Sequence, residues 1–189
     1  PGGGSVAALC GALGAALAAM VGNLTADKRE YKDVQEVMFK AADEAQHLKN
    51  EFLLDVDRDT DSFNDLMACF GMPKKTAEQK AERTQAIMDA TKKATLIPFN
   101  VLERCLRVID LASIMAEKGN QNSISDAGVG VLSAQCAAEG AYLNVIINLA
   151  DIDDAPWVAD VREKADKIIA QVRTNAATQM AVVNKALKI

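Results

Sequence analysis

The feature that most restricts the possible folds is a long run of apolar residues at helical spacing, which contains no proline or glycine between residues 30 and 70. Apolar side chains recur every three or four residues from Tyr31 to Phe52, and the spacing continues through Val56, Asp59, Phe63, Met67 and Phe70. This period predicts an amphipathic α-helix. Forty helical residues would span roughly 60 Å, which is long for one domain, so a bend near the aspartates is also expected.

A second apolar segment, Val6 to Leu24, contains no charged residue. Its length approaches that of a membrane-spanning helix, but it is rich in alanine and its side chains divide into two faces. Large residues follow a 3-4-4-3-4 spacing on one face (Val6, Leu9, Leu13, Leu17, Met20, Leu24), and small residues form another (Gly11, Ala15, Ala18, Gly22). We therefore expect a helix buried among other helices, which also suits a subunit interface, and no membrane partner.

Turn and capping signals divide the rest of the chain. Thr76 and Gln79 have the spacing of a capping box. The expected helices cover Thr76 to about Leu96, Phe99 to Glu117 beginning at Pro98, Ala127 to Leu149 capped by Ser125 or Asp126, and Trp157 to about Leu187. No segment has the pattern of a strand. These signals predict an all-α fold, an antiparallel helical bundle of five to seven helices with one very long helix.

Length and composition indicate one domain over residues 1–189, with a few native residues expected upstream because the chain does not begin with methionine. The formal charge of −5 and the pI of about 5.0 argue against a nucleic-acid partner. The four cysteines (Cys10, Cys69, Cys105, Cys136) are widely spaced and form no CxxC or Cys/His pair. We interpret them as buried free thiols of a cytoplasmic protein rather than as two disulfides or a metal site.

Two of the candidate sites lie in the first third of the chain. The glycines of the Pro1–Ser5 segment would let a ligand approach the start of the first helix, although the segment also suits a flexible tail with Ser5 as N-cap. Asp59 occupies a position where an apolar residue is due, and a carboxylate facing a core is either paired or functional. The spacing of the surrounding aspartates lacks the glycine and glutamate of a calcium loop, so no metal site is predicted.

The other two candidates lie in the second half. The polar segment 119–128 contains Asn120, Asn122 and Asp126, and Asp126 could simply cap the following helix. Asn144 and Asn148 stand one turn apart in an apolar helix. Buried amides require hydrogen-bond partners, which either a neighbouring helix or a ligand would supply. We find no serine–histidine or cysteine–histidine nucleophile pair, and we interpret the single histidine, His47, as a surface residue.

Several of these segments together resemble the cyclodeaminase/cyclohydrolase family of one-carbon folate metabolism. The similar segments occur in the family's order and cover most of the chain: Pro1–Ala8, Asp59–Phe63, Met72–Thr76, Gly119–Asn120, Ser125–Val129 and Gly140–Leu149. The resemblance implies an all-helical fold, a homodimer and a folate substrate, which could be polyglutamated. It implies no cofactor beyond the tetrahydrofolate substrate and no metal, because the reaction is not a redox step.

The resemblance implies one of two reactions. A cyclohydrolase adds water to 5,10-methenyltetrahydrofolate and yields 10-formyltetrahydrofolate, whereas a cyclodeaminase closes 5-formiminotetrahydrofolate and releases ammonia. The length of the chain favours the cyclohydrolase as a stand-alone enzyme. A third hypothesis is that the protein binds folate without catalysing a reaction.

The resemblance also assigns roles to residues. Asp59 or Asp126 would act as the base that orients water towards the methenyl carbon. The substrate-binding set would comprise the backbone of Gly3, Gly4 and Ser5, the amides of Asn120, Asn122, Asn144 and Asn148, and two cations for the glutamate tail, Lys74 and Lys75.

Overall fold

Five α-helices follow one another in the computed structural model, which describes residues 2–189; Pro1, the first residue of the predicted glycine segment, lies outside the described residues. The helices are α1 (Gly3–Ala26), α2 (Gln35–Phe70), α3 (Ala77–Lys118), α4 (Ile124–Leu149) and α5 (Ala155–Leu187). Short 3-10 segments cover Arg29–Val34 and Gln121–Ser123, and residues 2–189 contain no strand. The predicted all-α bundle is confirmed, but its longest helix is α3, with 42 residues, rather than α2, with 36.

Helix α1 lies at the centre of the bundle and packs against α2, α3 and α4. Its small-residue face is buried, and five of the six residues of its large apolar face are exposed, with Leu17 half-buried; Val6 and Leu13 are each 54% exposed. The helix is long and apolar enough to cross a membrane, with a mean hydropathy of 1.9, yet 61% of that window is buried within the bundle. Small side chains are on the inner face because α2 and α4 approach α1 closely; a Cβ at Gly11 would lie 2.6 Å from the Phe52 ring.

Helix α2 begins later than predicted and is not interrupted. Tyr31 leaves helical geometry (φ −108°, ψ 20°), and the continuous helix starts at Gln35 and passes the aspartates without a break. No residue between 63 and 90 is buried, so the end of the α2–α3 hairpin projects from the bundle. The expectation that the apolar seam reaches the core at Phe63, Met67 and Phe70 is therefore wrong, because only the first part of α3 packs beside that end of α2.

Pro98 does not begin a helix, as predicted, but lies inside α3. A proline has no N–H for the carbonyl four residues before it, which here belongs to Ala94. The Asn148 side chain of α4 donates its Nδ2 hydrogen to that carbonyl at 3.3 Å. The helix continues through Pro98 because a donor from another helix compensates for the missing backbone bond.

The helix termini agree with some predicted caps and not with others. The capping box of Thr76 and Gln79 is confirmed, whereas α4 begins at Ile124, so Asp126 lies in its first turn and does not cap it. Asp154 caps α5 by accepting the Trp157 backbone N–H at 3.2 Å.

The cysteines and the single histidine differ in how far they are exposed to solvent. All four cysteines are free, but Cys105 alone is buried and Cys136 is exposed, so the expectation of four buried thiols is wrong. Burial raises the pKa of the Cys105 thiol well above its usual range. His47 is exposed, as predicted.

Candidate functional site

A cleft of about 510 Å³ opens where the start of α1 meets α2, α3 and α4. Four helices contribute to its wall, which brings residues distant in sequence to one place. The lining residues are Gly2, Gly3, Gly4, Asp59, Thr60, Ser62, Phe63, Leu66, Ala94, Asn144 and Asn148. Five of the predicted site residues, Gly3, Gly4, Asp59, Asn144 and Asn148, therefore line one cleft.

The Asp59 carboxylate lies directly against the first turn of α1. The Ser5 hydroxyl donates a hydrogen bond to Asp59 Oδ2 at 2.7 Å and lies 3.5 Å from the Thr60 hydroxyl. A Cβ at Gly4 would lie 2.7 Å from the Asp59 Cγ, so only glycine permits this approach. The first N–H groups of a helix have no acceptor within the helix, and its positive end favours an anion. Asp59 is thus held as an oriented carboxylate at the edge of the cleft.

Two asparagines of α4 line the same cleft as this carboxylate. Asn144 Nδ2 donates to the Gly140 carbonyl one turn earlier at 2.8 Å, which leaves its Oδ1 as the atom available to a ligand. Asn148 uses Nδ2 for the carbonyl freed by Pro98. Each asparagine therefore makes a structural hydrogen bond and also lines the cleft, and ligand binding by either amide stays a prediction.

A buried carboxylate that the sequence placed in the acidic cluster without assigning it a role lies one turn before Asp59. Asp55 is 2% exposed, accepts a hydrogen bond from Arg58 Nη1 at 2.8 Å, and pairs with Arg104 of α3. Burial raises the pKa of the Asp55 carboxyl, and the two guanidinium groups oppose that shift. This network fixes α2 against α3 immediately beside the cleft. The Asp55–Arg58 spacing was its only sequence signal.

The remaining predicted residues lie elsewhere in the same chain. Asp126 precedes Asn144 by eighteen residues of α4, which corresponds to about 27 Å. Asn120 is at that far end too; its backbone N–H donates to the Thr25 hydroxyl near the end of α1 at 2.9 Å, and its side chain accepts from the Asn122 N–H. Within one chain, the two alternative bases Asp59 and Asp126 therefore lie at opposite ends of α4, and only Asp59 lines the cleft.

The two lysines predicted to bind an anionic tail lie in the α2–α3 turn, beyond the end of α2. A nearer cation is Lys93, next to the lining residue Ala94; its Nζ lies 2.9 Å from Asp65 Oδ2. No sequence pattern assigned a ligand-binding role to Phe63, Leu66 or Ala94, which also line the cleft. Phe63 is one turn after Asp59, so the helical period could have placed both on the same face.

Another concavity of about 510 Å³ lies along α5 and is lined by Arg162, Glu163, Asp166 and Lys167 with two alanines. All of its lining residues belong to one helix. It is a charged outer surface and brings no separate elements together, so it is not a comparable site.

The fold and the site together define a class of protein. It is an all-helical protein whose cleft combines a fixed carboxylate, two amides and an apolar wall. The family profile described as formiminotransferase-cyclodeaminase matches residues 1–167. The chain therefore belongs to the formiminotransferase-cyclodeaminase family.

Individual relatives differ in how much of their length the chain spans. A methenyltetrahydrofolate cyclohydrolase of Methylorubrum extorquens is 40% identical over 171 residues, which cover 90% of this chain and 82% of the relative. A formimidoyltransferase-cyclodeaminase of Gallus gallus is 30% identical over 98% of this chain, but the chain spans only 34% of that protein. The crystal structure of a formiminotetrahydrofolate cyclodeaminase from Thermotoga maritima shares the fold, with a TM-score of 0.80 and 24% identity, over 100% of this chain and 88% of the other.

Proposed function

We propose that this protein is a methenyltetrahydrofolate cyclohydrolase that converts 5,10-methenyltetrahydrofolate into 10-formyltetrahydrofolate. The observation that carries the proposal is the 40% identity to a relative of that name across 82% of its length. The cleft adds a chemical reason, because Asp59 presents an oriented carboxylate where a cationic amidinium carbon could be attacked.

The proposed reaction begins with water held by the Asp59 carboxylate. The water oxygen bonds to the methenyl carbon while its proton passes to Asp59, which converts the cationic substrate into a neutral carbinolamine. The protonated Asp59 then delivers that proton to N5 as the C–N5 bond breaks. Loss of the hydroxyl proton to solvent completes the formyl group on N10. One water is consumed and one proton is released.

The neighbouring residues support this sequence of steps. The Ser5 hydroxyl is a positioning group, since its hydrogen bond sets the orientation of the Asp59 carboxylate. The Asn144 Oδ1 would accept a hydrogen bond from the carbinolamine hydroxyl or from the edge of the pterin ring. Hydration transfers no electrons, so we propose no cofactor beyond the tetrahydrofolate substrate.

Loss of the methenyltetrahydrofolate absorbance band, at a pH where uncatalysed hydrolysis is slow, tests the proposal. We expect decay in proportion to the protein concentration. Ammonia release from 5-formiminotetrahydrofolate, without cyclohydrolase turnover, would favour the cyclodeaminase reaction instead; the 30% identity to the Gallus gallus relative supports that second candidate. Binding of tetrahydrofolate without either turnover would indicate a non-catalytic folate-binding protein.

We further propose that cations around the hairpin bind the glutamate tail. Lys93 directly precedes the cleft-lining Ala94, and its 66% exposed side chain could exchange Asp65 for a ligand carboxylate. Lys74 and Lys75 lie farther out, since α2 runs about 16 Å from Asp59 to its end at Phe70. They would therefore meet the additional residues of a polyglutamated substrate.

We propose a homodimer whose interface is the exposed apolar face of α1 and α4. This face comprises Val6, Leu9, Leu13, Met20 and Leu24 of α1 with Val129, Leu132, Leu143 and Ile147 of α4, each more than one-third exposed. An apolar surface of this extent is typical of an interface.

We also propose that the protein is cytoplasmic. Its four cysteines are free, which fits the reducing environment of the cytoplasm.

An antiparallel pairing of two copies would give Asp126 a place in the mechanism. A two-fold axis perpendicular to α1 exchanges the ends of the helix, so the partner's copy of the Asn120–Asp126 end would lie beside this cleft. Mixing Asp59→Asn protein with Asp126→Asn protein tests the arrangement. Recovery of activity on mixing is expected, because one of the two sites in a mixed dimer retains both aspartates; two inactive proteins that stay inactive after subunit exchange would contradict it.

A further inference from the structure

Phe63 is a large aromatic side chain that is 60% exposed in the cleft wall. It follows Asp59 by one helical turn, and Leu66 follows one turn later, so the three side chains share a face of α2. No residue of α2 after Ser62 is buried; the neighbouring helix here is α3, which contributes Ala94 to the cleft wall and places Arg83 against Phe70. An apolar ring left in water gains free energy when a ligand covers it.

The cleft has a polar part and an apolar part. Asp59 and the amides of Asn144 and Asn148 form its polar part, while Phe63, Leu66 and Ala94 form its apolar part. Such a division suits a flat molecule that carries polar atoms along its edge and is apolar on its faces. A fused heteroaromatic ring has this character, and aromatic rings stack on one another in offset or edge-to-face geometry.

We propose that Phe63 recognises the flat ring system of the substrate by stacking against it. The inference rests on the proposed function and names a specificity-determining residue for it. With its ring face on Phe63, the substrate would direct its polar edge towards the two asparagines. Its reactive carbon would then lie towards Asp59, one turn away from Phe63 on the same helix.

The same helix provides a matched control. Phe70 is 46% exposed and lies two turns beyond Phe63, but it does not line the cleft and instead packs against Arg83, whose guanidinium carbon is 5.7 Å from the ring centroid. Phe63→Leu and Phe70→Leu therefore remove the same ring from comparable surroundings. Phe63→Tyr retains the ring and serves as the conservative variant.

Calorimetric titration with tetrahydrofolate under reducing conditions gives a dissociation constant that does not depend on turnover. We expect Phe63→Leu to raise this constant about three- to tenfold, and to raise KM for the methenyl compound similarly with kcat within twofold. Phe63→Tyr and Phe70→Leu should remain within twofold of the wild type in both constants. This split between KM and kcat separates a binding contact from a change that only loosens the fold.

Other results would overturn the inference. A wild-type protein that turns over substrate, with a Phe63→Leu variant that binds tetrahydrofolate equally well, would remove the role of Phe63 and leave the proposed function intact. A wild-type protein with neither turnover nor tetrahydrofolate binding would overturn both. A Phe63→Leu variant that changes its mass in sedimentation while its affinity stays constant would assign the ring to a contact between two copies.

Discussion

Replacing Gly4 by alanine should reduce catalysis far more than stability. The new Cβ would lie 2.7 Å from the Asp59 Cγ and 2.9 Å from Oδ2, where ordinary contact begins at 3.4 Å. The carboxyl group is the flexible end of a side chain and would withdraw from α1. A misplacement of about 1 Å at a reacting group is enough to lower a rate roughly 100-fold, which is the fall in kcat that we expect.

The effect of Gly4→Ala on folding should be small because two contributions oppose each other. Alanine favours a helix over glycine by up to about 1 kcal/mol. Loss of the Ser5–Asp59 hydrogen bond costs about the same. The free energy of unfolding, measured by urea denaturation, should therefore stay within about 1 kcal/mol of the wild type.

Gly2→Ala is the matched control for Gly4→Ala, because a Cβ at Gly2 meets nothing within 4 Å. It adds the same methyl group to the same segment without touching Asp59, so we expect kcat within threefold of the wild type. The assay is the decay of methenyltetrahydrofolate absorbance. A folded Gly4→Ala protein with kcat within threefold of the wild type would refute the claim that catalysis depends on the placement of the Asp59 carboxylate against α1.

Three further predictions concern stability and reactivity. Asn148→Ala should cost about 1 kcal/mol in urea denaturation, and less in a Pro98→Ala background where the helix supplies its own donor; equal costs in both backgrounds would contradict this. The hydrogen bonds from Arg107 lower the pKa of Glu44 from its ordinary 4.5, so their contribution is present above pH 4.5 and lost as pH falls through the lowered pKa. Glu44→Gln should destabilise the protein by a few tenths of a kcal/mol at pH 7, with the difference vanishing once the pH is below the lowered pKa of Glu44. Cys105 should resist a thiol reagent until the protein unfolds, which mass spectrometry can follow.

Local spacing predicted those features that depend on neighbours along the helix. The period of α2, the capping box at Thr76 and the anomaly at Asp59 were all visible in the sequence, since each involves residues within a turn or two of one another. In contrast, the continuation of α3 through Pro98 depends on Asn148, a donor on another helix. No local pattern indicates that such a donor exists.

The buried face of α1 is a second feature that the sequence alone did not predict. Its spacing predicted two faces correctly, but the usual preference would bury the large residues, and the structure buries the small ones. Which face is inside depends on how closely α2 and α4 approach, as the contact of Phe52 with Gly11 shows. The distance of Asp126 from the cleft was not predictable either. The resemblance of individual segments to a family does not say how far apart those segments lie in the fold.

The most direct test of the central claim is methenyltetrahydrofolate turnover by Asp59→Asn beside Asp61→Asn. Asp61 is on the same helix and exposed, and it does not line the cleft, so the two substitutions make the same chemical change inside and outside the site. We predict that Asp59→Asn lowers kcat at least about 100-fold, the scale of a lost general base, while Asp61→Asn stays within twofold. Nearly full turnover by a folded Asp59→Asn protein would contradict the account.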